Sequence, residues 1–216
     1  LRCYNGTSSH PQLLPFAPIL KQYNIPKAYL LDLIDGVETD LTTSRFETFD
    51  ELKRYCYRVA SVVGLISLQV FGYRMESTKD YAVNLGYALQ LTNILRDVKQ
   101  DATNGRIYIP QEDLRKFGCS EDEILSGNST AHFQSLMQFE GERARQYYMR
   151  AAACLQREDR AAMFAARTMA AIYFRLLRKI EQANFDVFSK RIAVSTPFKI
   201  ITAIRFWAAS LLTVPA

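Results

Sequence analysis

Residues 84–103 have the spacing of one long helix that carries a polar stripe between two apolar edges. Asn93, Asp97 and Asp101 are four residues apart, so their side chains drift by only about 40° per step along one face. Gln90 falls on the same face. The flanking apolar residues are Leu85, Ala88, Leu89, Leu91, Ile94 and Leu95. Because a polar stripe between buried edges is typical of a cavity wall, the pattern predicts a helical fold built around an internal cavity.

The oxygen side chains of this stripe predict a divalent cation site. The spacing of Asp97 and Asp101 also occurs on solvated helix faces, but a like-charge pair one turn apart destabilises a helix unless a cation offsets it. Mg²⁺, or Mn²⁺ in its place, prefers such ligands and usually shares them with phosphate oxygens. Arg106 and Tyr108 follow the helix stop at residues 104–105 and can reach back towards a phosphate. The segment therefore predicts a metal-bridged diphosphate site.

The remaining sequence predicts an all-α chain in a single domain, residues 1–216. Glycine and proline are scarce, at 9 and 7 residues, and lie at helix boundaries rather than between many short strands. Residues 48–51 and 120–123 have the S/T-x-x-E form of a capping box. Helices are expected over residues 12–21, 27–34, 49–72, 78–102, 110–117, 121–126, 130–156, 160–184 and 197–211.

Two segments carry a resemblance to the squalene/phytoene synthases. Residues 90–101, followed by residues 105–110, resemble the second aspartate-rich motif of that family, and residues 55–64 resemble its tyrosine-bearing helix. Weaker similarity runs from about residue 27 to about residue 205. The resemblance implies an isoprenoid synthase-type helical bundle around a central cavity and the head-to-head condensation of two prenyl diphosphates.

The resemblance also implies roles for individual residues. Asn93, Asp97 and Asp101 would hold Mg²⁺. The diphosphate would contact Gln90, Arg96 and Arg106, although Arg96 could equally be a salt-bridging surface residue. Catalytic roles fall to Tyr57, Tyr108 and Tyr173, each of which could instead be an ordinary buried tyrosine. The prenyl tails would lie against Val59, Val63, Ile66, Val83 and Leu89. NADPH is compatible with the family but nothing in the sequence indicates it.

The similarity of residues 55–72 and 139–192 to bacterial presqualene diphosphate synthases favours two farnesyl diphosphates as substrates, as in squalene and hopanoid synthesis. Three alternatives stay open: a phytoene synthase acting on geranylgeranyl diphosphate in carotenoid synthesis, a non-catalytic scaffold protein, and a head-to-tail prenyl transferase or terpene cyclase. The family's first D-x-x-x-D motif has no match, since Asp32, Asp35, Glu38 and Asp40 lack that spacing. With Leu1 as first residue, the chain is expected to be a fragment that lacks the first helices of the fold.

The cysteines predict a reduced, cytoplasmic protein. Cys3, Cys56, Cys119 and Cys154 form no C-x-x-C pair, so neither a zinc site nor a disulfide framework is expected. His10 and His132 have no partner at metal-ligand spacing. Metal chemistry is therefore expected to rest on oxygen ligands.

Charge and hydropathy limit the partners. The net charge of +5 is scattered, without the basic stripe and stacking aromatics of a nucleic-acid-binding surface. No segment is long and apolar enough to span a bilayer. The amphipathic basic segment 198–207 predicts peripheral membrane contact as an alternative to core packing. The sequence does not indicate an oligomeric state.

Overall fold

The computed structural model describes residues 4–5 and 10–212, and within them the chain is helical, which confirms the predicted all-α class. The α-helices are α1 (Phe16–Gln22), α2 (Lys27–Thr42), α3 (Phe49–Cys56), α4 (Val62–Phe71), α5 (Ser77–Thr103), α6 (Gln111–Phe117), α7 (Glu121–Leu125), α8 (Ala131–Cys154), α9 (Phe164–Gln182) and α10 (Thr196–Leu211). Short 3₁₀ turns occupy Pro11–Leu13 and Arg157–Asp159, and a π-helical turn occupies Tyr57–Ser61.

Helix α5 is the central element of the fold. It packs along α8 and also contacts α4, α9 and the π-helical turn. Its buried face includes Leu85, Ala88, Leu91, Ile94 and Leu95, as the apolar spacing predicts. The burial of this face fixes the direction in which the polar stripe points.

The two predicted capping boxes differ in the structure. At the start of α7, the Ser120 hydroxyl accepts a hydrogen bond from the backbone N–H of Glu123, and the Glu123 carboxylate accepts one from the Ser120 N–H, so that box is complete. At the start of α3, the Thr48 hydroxyl accepts from the N–H of Glu51, but the Glu51 carboxylate accepts from the N–H of Glu47 instead. Both arrangements satisfy donors that a helix start leaves free.

The helix predicted over residues 49–72 is interrupted by the π-helical turn. The Ser61 hydroxyl donates to the carbonyl oxygen of Val83 at 2.8 Å. Gly86 lies so close that a Cβ there would be 2.4 Å from the Cα of Ser61. The extra residue in the turn accommodates this approach of two backbones, a tertiary contact that helical periodicity does not contain.

Three other helices differ from their predicted bounds. Helix α1 begins only at Phe16, after a 3₁₀ turn over Pro11–Leu13, where residue 12 was predicted. Helix α2 continues through Gly36 to Thr42, because Gly36 packs in the interior, where a Cβ would lie 2.7 Å from the Cβ of Arg58. Helix α9 begins at Phe164, later than predicted, because Asp159 accepts hydrogen bonds from the backbone N–H groups of Arg74 and Met75 and holds the preceding turn.

Cys56, Cys119 and Cys154 are free thiols in the structure, and Cys3 lies outside the described residues. Burial raises the pKa of the Cys56 thiol, which keeps it protonated and inert. None of the helices in residues 4–5 and 10–212 is both long and apolar enough to cross a bilayer.

Candidate functional site

The polar stripe begins with Asn93, whose side chain holds an unsatisfied acceptor. The Asn93 amide nitrogen faces the Gln90 amide oxygen at 3.5 Å. The Asn93 amide oxygen is buried and has no hydrogen-bond partner within the described part of the chain. A buried acceptor without a partner is costly, so this oxygen is available to a cation or a donor that the protein does not itself supply.

Asp97, one turn further along α5, forms an ion pair with its neighbour Arg96. The guanidinium approaches both carboxylate oxygens, with Nε 2.7 Å from Oδ1 and Nη2 in contact with Oδ2. The two side chains are 19% and 28% exposed, so the pair lies at the rim of the interior. The hydrogen bond to Asp97 is the main cause of the raised pKa of Arg96. Tyr173 of α9 lies close enough to Arg96 to raise that pKa further. The structure thus brings Gln90, Asn93, Arg96, Asp97 and Tyr173 together.

Asp101 completes the stripe at a position where its ionised carboxylate is disfavoured. Burial, followed by the charge of Asp97, raises the pKa of Asp101 to about 6, while Arg106 and Arg96 oppose the shift. Such a carboxylate is stabilised by an added cation. Asp40 also contributes to the raised pKa, which places its carboxyl group near the end of the stripe.

These donors fit a cation that is shared with a ligand. Among the described residues, no three His, Cys, Asp or Glu side chains converge on one point as a complete metal site would require. The set consists of two carboxylates and an unsatisfied amide oxygen, which leaves room for water and phosphate oxygens. That is the incomplete protein shell that Mg²⁺ usually has at phosphate sites.

A second group, which we call the Asp40 network, joins α2, α3 and the segment after α5. The hydroxyls of Tyr55 and Tyr108 each donate to Oδ1 of Asp40 at 2.9 Å. Nη2 of Arg106 donates to the backbone oxygen of Asp40 at 2.6 Å. The Tyr55 and Tyr108 rings stack with their centroids 5.6 Å apart. The backbone N–H of Ile107 donates to Ser44 at 3.0 Å and holds this segment in place.

The pKa shifts in the Asp40 network keep its phenols protonated. Burial is the main cause of the raised pKa of Tyr55, and the neighbouring Tyr108 and Asp40 add to it. Burial and the hydrogen bond to Asp40 also raise the pKa of Tyr108. Both hydroxyls therefore act as donors to the Asp40 carboxylate, and the Tyr108 hydroxyl also accepts a hydrogen bond from Nη1 of Arg106 at 3.4 Å.

The predicted catalytic tyrosines are placed differently from one another. Tyr108 belongs to the Asp40 network and Tyr173 lies beside Arg96. Tyr57 instead lies near Asp32, with its pKa raised mainly by burial, and its catalytic role stays a prediction. Sequence reasoning missed Tyr55, although it stands two residues before Tyr57 in the same segment.

An apolar cavity of about 240 Å³ lies between α4, α5 and α9, beside the turns of α5 that precede the polar stripe. Val63 and Leu89, both predicted to contact the tails, line it together with Met163 and Met169. The predicted tail residues Val59, Ile66 and Val83 are half-buried and lie outside its lining. Leu89 adjoins Gln90 in the chain, so an apolar chain in the cavity would have its end near the stripe.

A wider groove of about 460 Å³ lies on the opposite face of α9, between α8 and α10. Tyr81 and Leu85 of α5 line both spaces. The Tyr81 hydroxyl is buried without a hydrogen-bond partner among the described residues, and Arg167 lies close enough to oppose the rise in its pKa that burial causes.

Comparisons with known proteins identify the family of the chain. The squalene/phytoene synthase family model matches residues 2–197. The chain is 41% identical over 182 residues to a 15-cis-phytoene synthase of Synechocystis sp., an alignment that covers 79% of the chain and 54% of the relative. It is 37% identical over 186 residues to the chloroplastic phytoene synthase 2 of Solanum lycopersicum, covering 83% and 60%. The chain thus spans between half and two thirds of the length of these relatives.

Solved structures share the fold. A dehydrosqualene synthase in complex with ligand superposes with a TM-score of 0.82 at 25% identity, over 99% of this chain and 75% of that one. The squalene synthase HpnC from Alicyclobacillus acidocaldarius superposes with a TM-score of 0.78 at 23% identity, over 85% and 70%. The sequence relatives support the phytoene synthase alternative better than the presqualene diphosphate synthase that the sequence analysis put first.

Proposed function

Because the chain belongs to the squalene/phytoene synthase family, we propose that its protein condenses two molecules of geranylgeranyl diphosphate head to head into phytoene. The observation that carries the proposal is helix α5, whose stripe holds the unsatisfied oxygen of Asn93 and the carboxylates of Asp97 and Asp101 and whose preceding turns line an apolar cavity. An anion-binding end and an apolar end are what a prenyl diphosphate requires.

The first chemical step is the departure of diphosphate from an allylic carbon. Asn93, Asp97 and Asp101 would hold Mg²⁺, which offsets the charge that accumulates on the leaving group. Arg96 and Arg106 would donate to the diphosphate oxygens, with Arg96 turning from Asp97 towards the ligand. Donors aimed at developing charge in a site with little water stabilise the transition state strongly.

The apolar cavity would then hold the cationic chain away from water. The side chains of Val63 and Leu89 offer neither a nucleophile nor a hydrogen bond to the cation. The residues that line this cavity would determine the length of the prenyl chain that the protein accepts.

The Asp40 network would accept the proton whose loss ends the reaction. A coupling that forms a double bond without a reductant must release a proton from the final carbocation. The hydroxyl oxygen of Tyr55 or Tyr108 would take this proton while its own proton passes to the Asp40 carboxylate, so that the charge is neutralised there.

A second candidate is the coupling of two farnesyl diphosphates to presqualene diphosphate. The similarity of the fold to a dehydrosqualene synthase favours it. The two candidates differ in the length of the chain that the cavity accepts and in whether the reaction stops at a cyclopropyl diphosphate or continues with loss of the second diphosphate.

The test is to supply the full-length protein and Mg²⁺ with each diphosphate and to identify the products by mass spectrometry. Phytoene from geranylgeranyl diphosphate supports the proposal, and presqualene diphosphate from farnesyl diphosphate alone would replace it with the second candidate.

Asp97→Asn and Asp101→Asn should each lower turnover by at least about 100-fold. Asp80→Asn is the matched control, an exposed aspartate on the same helix. Equal activity in all three variants would contradict the metal-bridged site, and absence of product from either diphosphate would favour a scaffold role.

A further inference from the structure

Helix α10 turns its most apolar face away from the protein. Ile200, Ile204, Trp207 and Leu211 are between 53% and 59% exposed and project within about 60° of one another around the helix axis. The side that faces the bundle carries the buried Thr202 and Ser210 with the half-buried Phe206 between them, so its only large apolar side chain is one phenylalanine. This is the reverse of the pattern in a helix whose apolar face packs on a core.

Basic side chains border this apolar face on both sides. Lys199 and Arg205 are exposed and lie on opposite sides of the stripe, about 80° and about 100° around the helix from its nearest member, and α10 contains no acidic residue. From α9, Arg175 and Arg167 place their guanidinium groups over the rings of Phe198 and Phe206, at 5.9 and 4.7 Å. The charge around α10 is therefore positive.

We propose that α10 is a membrane-binding helix that lies flat on an anionic lipid surface. An exposed apolar stripe flanked by lysine and arginine is the arrangement by which such helices insert one face among the acyl chains while the basic residues contact lipid phosphates. Trp207 on the stripe suits the boundary between water and lipid, where tryptophan is enriched. An anionic bilayer matches both the apolar stripe and the positive edges.

This membrane surface goes beyond the proposed catalytic function and does not depend on it. It would place the protein where polyprenyl products partition. A second copy of the chain or another protein segment could also cover an apolar face, and the experiment below separates these occupants from lipid.

Trp207 is the only tryptophan in the chain, so intrinsic fluorescence reports on α10 directly. We expect its emission to shift to shorter wavelength when vesicles containing phosphatidylglycerol and phosphatidylcholine are added, and to change little with phosphatidylcholine alone. Brominated acyl chains in the anionic vesicles should quench it. Added salt should weaken binding, because the contribution of the basic residues is screened.

Two double variants test the two parts of the surface. Ile200→Glu with Ile204→Glu removes the apolar stripe, and Lys199→Glu with Arg205→Glu reverses the charge of its edges. Each should lower the vesicle partition coefficient in sedimentation by at least about tenfold. The matched control is Ile34→Glu with Val37→Glu, which adds the same charge to equally exposed apolar positions of α2 and should leave partitioning unchanged.

Several outcomes would overturn the proposal. One is a wild-type protein that does not sediment with anionic vesicles. Another is partitioning lost equally in the α2 control. A third is a wild-type dimer that the Ile200 and Ile204 changes dissociate while vesicle binding is absent, which would assign the surface to a second copy. Circular dichroism verifies that each variant keeps its helices. If the Ile200 and Ile204 variant does not fold, the Lys199 and Arg205 variant still tests the proposal, because it retains the apolar stripe.

Discussion

Removal of the Asp40 carboxylate should uncouple α2, α3 and the segment after α5. In Asp40→Ala the hydroxyls of Tyr55 and Tyr108 both lose their acceptor. A hydrogen bond to a charged group contributes about 1.5 to 3 kcal/mol, so two of them set an upper range of about 3 to 6 kcal/mol. Because Tyr108 and Asp40 are only half-buried, water replaces part of this, and we expect a loss of about 3 kcal/mol.

Asp40→Asn separates the contribution of the two tyrosine hydrogen bonds from that of the carboxylate charge. The amide oxygen can still accept from both tyrosines, as a weaker neutral acceptor, so the expected loss is about 1 kcal/mol. Asp35→Ala is the control: this exposed aspartate is on the same helix, and no hydrogen bond to its carboxylate is found in the described part of the chain. Its expected effect is within about 0.5 kcal/mol.

Urea unfolding measures these differences, and turnover with a prenyl diphosphate measures their catalytic consequence. In a chain of this size a loss of about 3 kcal/mol lowers Tm by about 6 to 12 °C. If Asp40→Ala is no less stable than Asp35→Ala, the network contributes nothing to the fold. If Asp40→Asn keeps stability near wild type yet loses turnover, the carboxylate acts in proton transfer rather than only in positioning.

Two further predictions concern the helices that carry the site. Gly86→Ala should destabilise the protein by about 1 to 3 kcal/mol despite its better helix propensity, because its Cβ would lie 2.4 Å from the Cα of Ser61. Gly64→Ala, whose Cβ would lie 3.1 Å from the backbone oxygen of Ala82, should cost less in the same urea titration. Burial raises the pKa of Glu140 to about 8. The folded state therefore holds a proton that the unfolded state releases, and stability should fall between about pH 4 and 8 with a slope of up to about 1.4 kcal/mol per pH unit. Glu140→Gln should flatten that slope while the exposed Glu142→Gln does not.

Local spacing was sufficient for α5 and its stripe. Four-residue intervals place Asn93, Asp97 and Asp101 on one face in any α-helix, and the apolar residues beside them specify which face is buried. The same reasoning predicts α8 and α10 to within two residues at their ends, but it ends α2 eight residues too early and misses the π-helical turn between α3 and α4.

The Asp40 network was beyond local reasoning, because its partners are far apart in the chain. Tyr55 and Tyr108 are 15 and 68 residues from Asp40 and meet it only through tertiary packing. The π-helical turn likewise depends on the approach of Gly86 to Ser61. Each is a contact between elements, for which a single sequence has no periodic signal.

The ion pair of Arg96 and Asp97 implies that cation and diphosphate bind cooperatively. Without ligand, the guanidinium occupies both oxygens of Asp97, so a cation alone must compete with it. A diphosphate that draws Arg96 to its own oxygens would free Asp97 for the cation, and each ligand must then raise the affinity of the other by the same factor. Calorimetry should show Mg²⁺ binding at least about tenfold tighter in the presence of a non-hydrolysable prenyl diphosphate analogue. In Arg96→Gln the dependence should shrink because Asp97 is free from the start, whereas Arg175→Gln on α9 should leave it unchanged. Equal dependence in both variants would mean that the coupling comes from direct contact between metal and diphosphate alone, without participation of the Arg96 switch.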